Sequence, residues 1–145
     1  MRVFFDASVI ITALLSPHGG SSFLIEHVKQ GRIIGVTSQT VIDEITDPDK
    51  SQKLQKSKAE IEIFIANSKL LVRARLSQAD IESYKDKIDV EDAHLIAGAS
   101  FTKCNYLVSL DKKHVVREDV KKQFLPLVIV SPKELLEKLV AEMKL

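Results

Sequence analysis

The sequence predicts an α/β fold, a three-layer α/β/α sandwich around a central, mostly parallel sheet of four to five strands. Three observations predict it. Short apolar runs recur along the chain, stretches of helical periodicity fill the intervals between them, and the last helix start is written out in capping residues. Unbroken apolarity, in place of in/out alternation, is what a strand needs when helices cover both faces of a parallel sheet. Strands that alternate with helices then pair in parallel through right-handed crossovers.

The first run is Val3 to Phe5, followed by Ile33 to Thr37, Tyr106 to Ser109 and Leu127 to Val130, with Leu70 to Val72 a weaker fifth. Ser21 or Ser22 can cap a helix reaching about Gly31, Ser38 one through Ile45, and Ser77 one through Tyr84. Asp89 opens a longer helix that ends near Cys104. The clearest start is Ser131-Pro132-Lys133-Glu134, where a capping serine, a proline in the first turn and a reciprocal glutamate precede Leu135, Leu136, Leu139 and Val140. The polar stretch from Lys50 to Glu60 carries Leu54, Ile61 and Ile65 on one loose stripe, so it reads as an exposed helix whose lysines form a solvated face.

With 145 residues, 45% of them hydrophobic, the chain is large enough for one core, and residues 1–145 read as a single domain. Lys and Arg (21) nearly balance Asp and Glu (20), so a net charge of +1 exerts no global pull on polyanions and any such partner must be held locally. The single cysteine, Cys104, has no internal partner and fits a reducing compartment. The chain opens without a signal-peptide pattern, and no window is long and apolar enough to span a bilayer. A cytoplasmic protein with no membrane partner is the expectation.

Four carboxylates stand out. Asp6 directly follows the first apolar run and Asp111 follows the run from Tyr106, which places both at carboxyl ends of predicted parallel strands. That edge is where open α/β sheets bind ligands. The plain alternative makes each of them a helix cap. Helical geometry sets Glu44 on the flank of the stripe formed by Val41, Ile42 and Ile45, whereas Asp43 points away into solvent. Asp92 stacks with Ile96 and Ala99 on the inward face of its helix, where an ionised group is costly unless paired, hydrogen-bonded or bound to metal. Its alternative role is reciprocal capping with Asp89. Crowded together, these acids would raise one another's pKa until a cation neutralised them. An all-oxygen donor set selects a hard ion, Mg²⁺ or Mn²⁺, and ions of that kind serve phosphodiester hydrolysis.

At these residues the sequence resembles PIN domains, and most closely the VapC-like toxin nucleases of prokaryotic toxin–antitoxin pairs. Val3-Phe4-Phe5-Asp6-Ala7-Ser8 is similar to the family's first strand and aspartate. The loop Leu14-Leu15-Ser16-Pro17 with Gly19-Gly20 resembles one branch of the family. Ser38 to Ile45 resembles the helix bearing its glutamate, which falls on Glu44, and Asp89-Val90-Glu91-Asp92-Ala93-His94 resembles the segment of the third acid, Asp92, with Asp89 accessory. Tyr106-Leu107-Val108-Ser109-Leu110-Asp111 is similar to the strand and hydroxyl-x-Asp signature, which implies that Ser109 orients water or the fourth acid. Ile129 to Leu136 resembles the closing strand and helix.

The resemblance implies a PIN-like fold and an endoribonuclease of single-stranded RNA that depends on Mg²⁺ or Mn²⁺ held by Asp6, Glu44, Asp92 and Asp111. It also implies a homodimer and a cognate antitoxin, with Ser8 in a supporting position. Many relatives carry another acid just after the fourth, where this chain has Lys112, Lys113 and His114, so a second ion is less expected than the first. Those residues with Arg117 form a basic cluster that either holds the substrate backbone or is a solvated loop. His18, His27 and His94 read as surface or packing residues, and Arg73 and Arg75 as snorkelling side chains. Rival readings are a PIN-like module that binds RNA or protein without cutting, and an RNA-processing nuclease with no antitoxin.

Overall fold

All five apolar runs become strands of one parallel sheet in the computed structural model, which describes residues 1–84, 86, 88, 90–113 and 115–143. The strands are β1 Arg2–Phe5, β2 Ile34–Ser38, β3 Leu71–Arg73, β4 Tyr106–Val108 and β5 Val128–Val130, in the spatial order β3-β2-β1-β4-β5. Phe4 pairs in register with Val36 and Leu107, and Val108 with Val130. The weak fifth run gives the edge strand β3, whose three residues are all exposed, while Leu70 just before it is buried. Among the described residues the helices are α1 Ala7–Leu15, α2 Gly20–Lys29, α3 Gln39–Thr46, α4 Pro48–Leu54, α5 Lys58–Ser68, α6 Gln78–Glu82, α7 Val90–Phe101, α8 Glu118–Gln123 and α9 Pro132–Met143.

Two glycines show that helices press on both faces. Because Phe4 pairs with Val36, the intervening side of β2 at Gly35 faces the opposite way. A Cβ at Gly35 would lie 2.8 Å from Val28 of α2, and one at Gly98 of α7 would lie 2.9 Å from the Phe4 ring. Backbone therefore approaches side chain closely on each face, α2 on one and α7 on the other. Val3, Phe4 and Phe5 are fully buried, as an unalternating apolar strand between two helical layers requires.

Local capping explains most helix starts. Ser38 accepts from the Val41 N–H at 3.2 Å and opens α3. Ser131 and Glu134 cap reciprocally, each hydrogen bond 3.2 Å long, at the head of α9. The start of α2 differs from expectation: its cap is Gly19, while Ser21 is buried and the Ser22 hydroxyl donates back to the Ala13 and Ser16 carbonyls. The stretch from Lys50 to Glu60 is not one helix. Pro48 opens α4, Gln55 turns left-handed at φ 56°, and Ser57 caps α5 by accepting from Glu60 N–H at 3.1 Å. Ser57-Lys58-Ala59-Glu60 has the capping-box pattern, with the serine half of it formed, and was hidden in the one-dimensional stripe. Helix α7 stops at Phe101 because Lys103 takes a positive φ of 56°, and Cys104 follows it, buried and unpaired. Its proposed start, Asp89, lies outside the described residues. No single helix among the described residues is long and apolar enough to cross a membrane.

Candidate functional site

The carboxyl edge of the sheet gathers what the sequence kept apart. Asp6 leaves β1, Ser109 to Asp111 leave β4, and β2 runs straight into α3, which carries Glu44. Helix α7, pressed against β1 at Gly98, brings Asp92 in its first turn. Asp6, Glu44, Asp92 and Asp111 all line one cavity of about 1030 Å³, together with Ser8 and His94. The crevice lies where the chain order of the sheet reverses on either side of β1, the usual ligand position in such folds.

Asp6 is the most buried of the four, 4% exposed. It caps α1, as its alternative reading required, and still faces the cavity. Its Oδ1 accepts from the Ser8 hydroxyl at 2.6 Å and from the Val9 N–H at 3.1 Å. The Ser109 hydroxyl also donates to this carboxylate. Both hydroxyls have a second task. Ser8 Oγ accepts from Leu110 N–H at 3.1 Å, and Ser109 Oγ accepts from Asp111 N–H at 3.0 Å. A pair of hydroxyls thus ties the end of β1 to the loop after β4 and fixes the backbone of the fourth acid relative to the first. Burial pushes the Asp6 carboxyl above its ordinary range, the hydroxyl and N–H donors pull against it, and the Asp111 charge adds to the rise.

Glu44 takes a partner that its local sequence does not announce. His94 Nε2 lies 2.6 Å from Glu44 Oε1, with the imidazole only 11% exposed. His94, read from the sequence as a surface or packing residue, therefore sits in the cavity wall. No spacing rule could have found it, since its partner is fifty positions away. Asp43 does not simply face solvent: it also lines the cavity, and Arg75 Nε donates to its Oδ2 at 2.6 Å. That pairing holds the Asp43 carboxyl below its usual range and gives Arg75 a specific partner in place of a snorkelling role. Lys112 lines an adjoining, mainly apolar groove that shares Thr12 and Leu110 with the acidic cavity, Lys113 is exposed, and the lysines that line the acidic cavity itself are Lys50 and Lys53 of α4. Asp89 and His114 lie outside the described residues.

Seven carboxylates line the cavity, and Asp43 is neutralised by Arg75. The surplus carboxylates offer oxygen donors, with the His94 Nε2 in the same wall taken up by Glu44, which fits a hard divalent cation. Among the described residues, however, no three His, Cys, Asp or Glu side chains converge as a ready-made metal-binding group. The four acids face a shared space while each is held by its own hydrogen bonds or neighbours.

Residues 2–113 match the sequence profile of the PIN domain family. A chain from the structure of VapBC2 from Rickettsia felis bound to a DNA fragment from their promoter superposes with a TM-score of 0.60. The match covers 90% of this chain and 98% of that one at 14% identity, a likeness of fold. No curated protein matches the chain. The profile spans most of the chain and includes all four acids, and on that ground the chain belongs to the PIN domain family.

Proposed function

We propose that this protein is a nuclease that hydrolyses phosphodiester bonds of single-stranded RNA with Mg²⁺ or Mn²⁺, acting as the toxin of a toxin–antitoxin pair. The observation that carries the reading is the convergence of Asp6, Glu44, Asp92 and Asp111, from four separate stretches of chain, on one cavity at the ligand-binding edge of the sheet. PIN domains are generally nucleases, and the likeness to a VapBC2 chain favours a toxin with a cognate antitoxin. A homodimer is part of the same reading.

The four acids would hold the cation, and when bound it supplies Lewis-acid activation of water and relief of phosphate charge. The protein's own part is orientation. Ser8 and Ser109 lock Asp6 and the 109–111 loop into one unit, so the acids need little reorganisation. Without a cation the anionic cavity repels a phosphate backbone, which makes substrate entry depend on the metal. Lys50 and Lys53 stand at the same cavity and provide positive charge beside the acids.

The test is cleavage of a fluorescent single-stranded RNA with Mn²⁺ or with EDTA. Cleavage only with metal, and only on single strands, is the expected result. Binding without cutting in any divalent cation would leave a non-catalytic module. A short neighbouring reading frame whose product silences the activity supports the toxin role; an active enzyme that no such product inhibits is an RNA-processing nuclease.

The lysines make a separate prediction. Replacing both Lys50 and Lys53 with Ala raises KM for RNA about tenfold, and the slope of log affinity against log salt falls by about 1.4, at roughly 0.7 per lost phosphate contact. The same change at Lys112 and Lys113 has the smaller effect. Filter binding at graded salt measures both, and equal slopes for the two double variants would remove α4 from the substrate path.

A further inference from the structure

We infer that His94 is a positioning residue: its imidazole fixes the Glu44 carboxylate toward the acidic cavity and thereby sets how tightly that cavity holds a divalent cation. The inference rests on the reading of Glu44 as one of the cation-holding acids.

Glu44 projects from the exposed flank of a short helix, with a side chain 42% exposed and flexible by nature. A flexible carboxylate makes a poor ligand until something orders it. His94 is suited to do so because its own position is settled. Its neighbours Ala93 and Leu95 are buried, and α7 cannot slide while Gly98 rests against the Phe4 ring. The 2.6 Å separation marks a close, direct contact between nitrogen and oxygen, the kind favoured when one partner is a carboxylate.

The other ring nitrogen carries the second observation. His94 Nδ1 is buried and has no hydrogen-bond partner among the described residues. An unsatisfied buried polar atom is uncommon and destabilising. An imidazole placed only to fill space would be replaced at lower cost by a Leu or Phe. The polar function of this ring is therefore concentrated in the bond to Glu44. That bond engages Oε1, while Glu44 as a whole lines the cavity. Hydrogen bonds of this kind to metal-holding carboxylates orient them, and their loss commonly weakens metal binding 10- to 100-fold.

The experiment is titration of the full-length protein with Mn²⁺, followed by the electron paramagnetic resonance signal of the free ion, which needs no turnover. His94→Ala is expected to weaken Mn²⁺ binding by 10- to 100-fold. His94→Gln, whose amide N–H can replace the Nε2 donor, stays within about threefold of wild type. Glu44→Gln combined with His94→Ala binds no more weakly than Glu44→Gln alone, because the histidine acts through the glutamate. Wild-type affinity in His94→Ala, or additive losses in the double variant, overturns the inference. If Glu44→Gln and Asp6→Asn lose Mn²⁺ binding while His94→Ala keeps it, only the positioning role falls. If Glu44→Gln binds as wild type, the reading of the site falls with it.

Discussion

Asp6→Asn is expected to reduce cleavage by at least about a thousandfold, and to make the metal-free protein more stable. On the proposed reading, the loss follows from removing one charged donor of the cation, whose stabilisation of the reacting phosphate is worth several kcal/mol. The gain follows from burial. Asn still accepts from the Val9 N–H and keeps the cap of α1, but it carries no charge into a site that disfavours one. The folded protein holds the Asp6 proton to higher pH than the unfolded chain does. Stability contributed by the protonated form is whole below the ordinary aspartate pKa and is lost as pH rises through the raised one. In EDTA the melting temperatures of variant and wild type should therefore coincide most closely in acid and separate as pH rises, with the variant higher. Mn²⁺ should raise the melting temperature of the wild type and leave the variant nearly unmoved. A gap that does not vary with pH would show that Asp6 is not a burdened charge.

Phe4→Ala should cost about 3–5 kcal/mol, a large share of the roughly 5–15 kcal/mol that holds a domain of this kind together. Phe4 lies fully buried in the central strand, with its ring against the backbone of α7 at Gly98. The helix cannot settle into the void without dragging Asp92 and His94 out of the cavity wall. Urea unfolding should thus show a lower midpoint, with a fall in melting temperature of roughly 10 °C or more. Activity is lost together with packing. A cost below about 1 kcal/mol would mean that the layer had collapsed onto β1, and that the approach at Gly98 does not hold α7 in place.

The fold was largely legible because its determinants are local. Five apolar runs are enough to mark covered strands, and Ser38, Ser77 and the Ser131/Glu134 pair start helices where their side chains can reach their own backbone. Errors arose where two local signals competed. Ser57 with Glu60 outweighed a weak hydrophobic stripe, and Gly19 capped α2 because the Ser22 hydroxyl was drawn to carbonyls nine and six residues upstream. Helix α8 went unread because Glu118 to Gln123 buries only Val120 and leaves little apolar pattern to detect.

By itself, the sequence determined the parallel sheet, the strand ends at which Asp6 and Asp111 stand, and the helices that carry Glu44 and Asp92. Those features depend on period and on side chains a few residues apart. Tertiary structure alone decided that His94 meets Glu44, that Arg75 takes Asp43, and that Lys50 and Lys53 line the cavity of the acids. Strand order and the packing of α4 and α7 set these meetings, across separations over which no local periodicity carries information about which side chains will face each other.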